Sequence, residues 1–195
     1  MHSSPIIHPC PFKNLLITGP PGIGKTTLIM KLAHALRPYQ PVGFYTREIR
    51  VEGVRKGFEL VSLDGNKGVL SHVDIQSSHR IGKYGVDIPE FERFLQDIPF
   101  FVPDRRVIVI DEIGKMECIS QMFMDMLIRL LDGNRPVVAT IALKRGGVLD
   151  RVKQRSDVHL FHVLRLDRDM IINDVRKALE GLLPTESAAG KSRSC

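Results

Sequence analysis

The sequence predicts an α/β domain with a mostly parallel central sheet, helices on both faces and an antiparallel hairpin extension. Three observations carry that expectation. Continuous apolar runs of the buried-strand kind, "NLLIT", "RVIVI" and "VVATIA", alternate with stretches of helical periodicity. A segment rich in β-branched and aromatic residues, "VGFYTREIRVEGVRKGFELVSLDGNKGVLSHV", is cut by Gly53 and by "DGNKG", as a meander of hairpins would be. Finally, 195 residues with 43% hydrophobic and 26% charged side chains suit one globular domain and exclude a disordered or fibrous chain.

Each element has a local reason. Residues 1–12, with prolines at 5, 9 and 11, read as an irregular lead-in, and the domain is expected over 13–183. "NLLIT" is the first buried strand. From Lys25 to Leu36 the apolar positions Leu28, Ile29, Leu32, Ala33 and Leu36 recur at helical spacing, and Pro38 stops the helix. The hairpin meander follows, and then "HRIGKYGVDIP" reads as a loop. Pro89 starts a short helix over Glu90 to Ile98, because its fixed φ suits a first helical position. "RVIVIDEIG" is a buried strand ending in two carboxylates. Ser120 is positioned to cap a helix carrying Phe123, Met126, Leu127, Leu130 and Leu131 that ends at "DGNRP". The strand "VVATIA", a helix over Leu149 to Arg155, the strand "HLFHVLRL" and a helix from Asp169 to about Leu183 complete the order, with Asp167 or Asp169 near the last N-terminus. The tail 184–195 is small and polar and reads as disordered.

Charge and cysteine content narrow the setting. With 28 basic and 22 acidic residues the formal charge is +6, a mild excess that fits anionic substrates. The basic residues form no arm or long block, so a nucleic-acid partner is not favoured. Cys10, Cys118 and Cys195 are widely separated and show no C-x-x-C spacing, so neither a disulfide framework nor a zinc site is indicated. No stretch resembles a secretory leader or a membrane span, and the expected setting is cytoplasmic, with no membrane partner and a monomeric chain.

The chemistry is written in two motifs. Gly19, Pro20, Pro21, Gly22, Ile23, Gly24, Lys25 and Thr26 fit G-x-x-x-x-G-K-[ST], the phosphate-binding loop of a P-loop NTPase, with Thr27 next to it. Glycines let successive backbone N–H groups converge on a phosphate, and the helix that opens at Lys25 adds the positive end of its dipole. Lys25 should reach the β and γ phosphates, and the Thr26 hydroxyl should ligate Mg²⁺. Such a site also needs an acid at the end of a neighbouring buried strand, and "VIVIDE" supplies Asp111 for the magnesium. Glu112, one residue on, can orient and polarise the water that attacks the γ-phosphate.

These residues resemble a family of small P-loop nucleoside-triphosphatases, over about Lys13 to Leu183. The resemblance rests on "GPPGIGKTTL", "GFYTREIR" with "GVRKGFELVSLDG", "RIGKYGVD", "VIVIDEIGKME" and the closing "RLDRD". It implies Mg²⁺-dependent hydrolysis of nucleoside triphosphates to diphosphate and phosphate, tolerant of the base. It also implies two nucleotide-binding segments: Gly19 to Thr26, and Val107, Ile108, Val109, Ile110, Asp111, Glu112, Ile113 and Gly114. One departure is visible. The family's last motif usually reads T-x-x-N-R-D, whereas the aligned positions here are Leu164, Asp167, Arg168 and Asp169.

Further residues keep two readings. Lys115 and Glu117 suit either the rim of the site or a plain surface pair. Arg47, Arg50, Arg55, Arg80 and Lys83 suit either solvated roles or an extra cation for the transition state. Thr140, at the end of "VVAT", suits a strand beside Asp111, where its hydroxyl could touch the attacking water. The methionines of "MECISQMFMDMLIRLL" read as gap-fillers of an amphipathic helix rather than a soft metal site. The seven histidines show no ligand spacing. Two other functions share the loop: a nucleotide or metabolite kinase, and a nucleotide-dependent switch that contacts RNA or protein.

Overall fold

The computed structural model describes residues 12–104, 106–144, 146–164 and 168–182. Its nine strands form one sheet in the order β5-β6-β4-β3-β2-β7-β8-β1-β9. The strands are β1 (Asn14–Gly19), β2 (Val42–Val51), β3 (Val54–Ser62), β4 (Lys67–His72), β5 (Arg80–Ile81), β6 (Tyr84–Val86), β7 (Ile108–Ile113), β8 (Val137–Ala142) and β9 (Val158–His162). The helices are α1 (Lys25–Ala35), α2 (Ile88–Gln96), α3 (Gln121–Asp132), α4 (Val148–Lys153) and α5 (Arg168–Glu180).

Two kinds of pairing share this sheet. Strands β2, β7, β8, β1 and β9 run parallel, and β3, β4, β6 and β5 add antiparallel partners beyond β2. The extension is therefore four strands wide, larger than a hairpin. The parallel strands are apolar on both faces and separate two cores, as the uninterrupted apolar runs require. One face packs Leu15, Ile17, Val107, Val109 and Val138 against Leu28, Ile29 and Leu32 of α1 and Val175 and Leu179 of α5. The other packs Leu16, Phe44, Ile108, Ile110 and Ala139 against Phe91 and Phe94 of α2 and Phe123 and Leu127 of α3.

β2 joins the two halves. Val42–Phe44 lie parallel to Ile108–Ile110, and from Phe44 to Val51 the strand runs antiparallel to β3. Gly43 sits at the seam with φ +143°, and a Cβ built there would lie 1.7 Å from the Val109 carbonyl oxygen. The β2–β3 turn is the two-residue Glu52–Gly53 pair with φ of 49° and 77°, as a tight hairpin of primed type requires.

The boundaries differ from the sequence reading in instructive places. The predicted loop before α2 contains the short hairpin β5–β6, whose five strand residues are too few to show an alternating pattern. α2 begins two residues earlier than Glu90 because the Asp87 carboxylate accepts the Glu90 N–H at 3.0 Å and caps it. β9 stops at His162, where its partner β1 turns into the glycine-rich loop. α4 opens earlier, at Val148, and α5 runs Arg168–Glu180. The Ser120 hydroxyl caps α3 by accepting the Phe123 N–H at 3.0 Å. The lead-in to residue 11, the tail, and Asp167 lie outside the described residues, as do the side chains of Arg168 and Asp169.

Candidate active site

β1 delivers the chain to Gly19 at the edge where the parallel strands end. The loop turns there with Gly22 at φ +74° and Gly24 at φ +95°, values that L-residues with a Cβ rarely hold. Ile23 is buried and anchors the loop, while Pro20, Pro21 and Gly22 face solvent. Gly24 is the N-cap of α1, no side chain caps that helix, and no acid stands in its first turn. The N–H groups at its start are thus left to an anion.

Lys25 is buried. Its Nζ donates to the Gly19 carbonyl at 3.3 Å and lies 4.0 Å from Glu112 Oε2. This single cation ties the loop to the acid strand.

Asp111 is fully buried and held by hydroxyls from both flanking strands. Thr140 Oγ1 on β8 donates to Asp111 Oδ1 at 2.5 Å, and Thr46 Oγ1 on β2 reaches Oδ2 at 3.4 Å. Burial pushes the Asp111 carboxyl up, opposed by hydrogen bonds from Thr140, Thr26 and the Thr46 backbone and by the Lys25 charge. Glu112 also lies above the usual carboxylate range: burial raises it, Lys25 pulls it down, and the Asp111 charge raises it again. The pairing of β7 to β8 shifts register between Ile110 and Ile113, and within that irregularity the Asp111–Glu112 peptide is cis.

The structure thus brings Lys25, Thr26, Asp111 and Glu112 together. The remaining positions of the second segment are packing: Val107 and Val109 enter the core under α1 and α5, while Ile108, Ile110 and Ile113 enter the opposite one. The acid strand is not the immediate neighbour of the loop strand, since β8 lies between β1 and β7. That order puts Thr140 between the loop and Asp111, where its hydroxyl is spent on the carboxylate.

Lys115 is exposed, but Glu117 is 5% exposed and forms no surface pair with it. Burial pushes the Glu117 carboxyl up to about 8, helped by the charges of Glu112 and Asp111 and opposed by backbone N–H groups of Glu117 and Gly114. Cys118 is an unpaired thiol beside it. The candidate cations find partners within the extension. Arg47 Nε donates to Glu59 Oε2 at 2.8 Å, Arg50 Nε to Glu48 Oε2 at 2.8 Å, and Arg55 Nη1 to Glu48 Oε1 at 2.7 Å. Arg80 donates to the Lys83 carbonyl at 2.8 Å, and Lys83 lies over the Tyr84 ring. Met124 is buried, and Met122 and Met126 pack against the same core.

Sequence reasoning missed Thr46. No motif marks a threonine inside a hairpin strand, and only the divergence of β2 from β7 beyond Phe44 brings it against Asp111. The buried state of Glu117 was equally hidden, because "GKME" reads as a polar turn.

Known proteins give the site its context. The sequence profile of a family described as NTPase matches residues 14–176. The chain is 38% identical over 167 residues to a nucleoside-triphosphatase THEP1 of Thermotoga sp. strain RQ2, covering 85% of this chain and 95% of that one. It is 36% identical to the human cancer-related nucleoside-triphosphatase, over 84% of this chain and 94% of that one. The crystal structure of THEP1 from the hyperthermophile Aquifex aeolicus superposes with a TM-score of 0.77 at 34% identity, covering 86% of this chain and 99% of that chain. The solution structure of the human protein gives the same TM-score, over 88% and 100%. With a profile matched across both halves of the sheet and relatives similar over nearly their whole length, the chain belongs to the NTPase family of nucleoside-triphosphatases.

Proposed function

We propose that the protein is a Mg²⁺-dependent nucleoside-triphosphatase that hydrolyses ATP, GTP and other nucleoside triphosphates to the diphosphate and phosphate. The observation that carries this is the juxtaposition of Glu112 with Lys25, 4.0 Å apart, beside the fully buried Asp111. In this reading the amides of Gly22 to Lys25 cradle the phosphates and the Lys25 ammonium meets the β and γ oxygens. Glu112 accepts a proton from the attacking water. The water oxygen bonds to the γ phosphorus while the bond from that phosphorus to the bridging oxygen breaks, and the diphosphate departs.

The donor set fits a hard divalent cation: a buried carboxylate with no basic partner in hydrogen-bond contact, and the Thr26 hydroxyl near enough to lower its pKa. Asp111 and Thr26 would hold the ion, Asp111 directly or through water. When bound, Mg²⁺ neutralises charge on the transferring phosphoryl group. Thr140 and Thr46 orient Asp111 for that task.

We further place the protein in a reducing compartment, consistent with the free Cys118. The test is phosphate release by purified protein with Mg²⁺ and no added acceptor. Release from both ATP and GTP is expected. Silence until a small hydroxylated or phosphorylated acceptor is supplied would instead establish a kinase.

A further inference from the structure

Gly114 separates two carboxyl side chains. A Cβ built on it would lie 2.7 Å from Glu117 Oε2, and 3.5 and 3.7 Å from Cγ and Cδ of Glu112. The carboxyl groups of Glu112 and Glu117 therefore both stand within 4 Å of one point, divided only by a backbone that has no side chain. A side chain at position 114 would require the Glu117 carboxyl to shift.

Glu117 is fixed at this spot from several sides. It opens a 3-10 turn, Glu117–Ile119, whose end is Ser120, the cap of α3. Its carbonyl accepts the Ser120 N–H at 3.1 Å, and the Gly114 carbonyl accepts the Cys118 N–H at 3.1 Å. The Ser120 hydroxyl donates to Glu92 Oε1 at 2.7 Å, which ties the same corner to α2. The Glu117 side chain turns inward, and its Oε2 stands beside the Gly114 backbone. A long carboxyl side chain, 5% exposed and placed beside Gly114, two residues after Glu112, is costly to bury.

We propose that Glu117 is a positioning residue for hydrolysis: its buried carboxyl stands against the Gly114 backbone, on the space that Glu112 also borders, and so limits where the Glu112 carboxylate can turn, keeping it toward the water that attacks the γ-phosphate. Its neutral form suits this role. The charged groups that reach it are Asp111 and Glu112, both acids, and a third negative charge there would be repelled. The inference rests on the reading of Glu112 as the group that activates water.

The experiment compares Glu117→Gln, Glu117→Met and Gly114→Ala with the parent. Turnover of ATP is measured alongside affinity for a non-hydrolysable ATP analogue with Mg²⁺, and Glu112→Gln is run as a control. Glutamine keeps the acceptor oxygen and the length, whereas methionine keeps only the volume. Glu117→Met is expected to lower kcat at least about tenfold while analogue affinity stays within about twofold, since the loop Gly19 to Thr26 is untouched; Gly114→Ala is expected to lower kcat as well. Glu117→Gln is expected to stay within about threefold of the parent kcat. Parental turnover in Glu117→Met would overturn the proposal, as would a matching loss of affinity or a failure of glutamine to restore turnover. If Glu112→Gln itself turns over at the parental rate, the reading of Glu112 falls first; if it is inactive while Glu117→Met is not, only the role of Glu117 falls.

Discussion

The antiparallel extension and the edge of the parallel strands treat charge in opposite ways. In the extension, Arg47, Arg50 and Arg55 are exposed and each meets a carboxylate of Glu48 or Glu59, so these cations rise above their ordinary range where shifted and Glu48 falls below its own. At the edge of the parallel strands, Asp111, Glu112 and Glu117 are crowded into one corner where Lys25 faces the first two, and all three are raised, burial being the largest cause for each. Pairs in water are worth little, about 0–1 kcal/mol, and can be lost cheaply. Acids taken out of water are costly even when hydrogen-bonded, and three of them gathered in one corner mark a candidate for chemistry. The difference teaches where to look for function in this molecule: at the charges that are least well paired.

The sharpest way to break the comparison is at its seam. Gly43→Ala drives a Cβ into the Val109 carbonyl on the strand that carries Asp111. A loss of more than about 4 kcal/mol, or failure to fold, is expected in urea unfolding. Mild destabilisation would show that β2 is not locked between the halves.

Next comes the site. Lys25→Ala removes the cation that faces Gly19 and Glu112, and nucleotide affinity or turnover should fall by at least about a hundredfold, read by analogue binding and phosphate release. Glu112→Gln should retain binding and lose turnover by about 10²- to 10⁴-fold.

A finer contrast lies in pH. Because Glu117 is held protonated up to about 8 in the fold, against 4.5 ordinarily, the native state binds a proton that the unfolded chain has released. Its contribution is therefore fully present below the unfolded value and is lost as pH rises through the window between the two, at about 1.4 kcal/mol per pH unit. Glu117→Gln should remove that loss, so the gap between variant and parent in chemical unfolding should widen from pH 5 to pH 8. A constant gap would show that Glu117 is already ionised in the fold. Last and smallest, Arg47→Ala with Glu59→Ala in a double-mutant cycle should return a coupling close to the error of the measurement, further reduced by salt.

Much of this was legible in the chain and some of it could not have been. The loop Gly19 to Thr26 is contiguous, and its glycines, its lysine and the helix that follows act through neighbours in sequence, so composition and spacing were enough. The apolar run before Asp111 likewise announced a buried strand because both of its faces are covered. Ser120 was recognisable as a cap for the same local reason. The hairpin β5–β6 was too short to show a period, and α2 began at an aspartate cap that the proline after it masked.

Partners across the sheet are a different matter. That β8 lies between the loop strand and the acid strand follows from strand order, which no local pattern encodes. Thr46 and Thr140 come from positions 65 and 29 residues away to grip one carboxylate. Glu117 sits in a polar turn by sequence and in the interior by packing. The sequence by itself determined which residues can bind a phosphate tail and which strand carries the acids, because those depend on backbone conformation and on apolar periodicity. Only the tertiary structure decided which hydroxyls orient Asp111 and which carboxyl stays out of water, because burial and desolvation are properties of the surroundings and not of the residue.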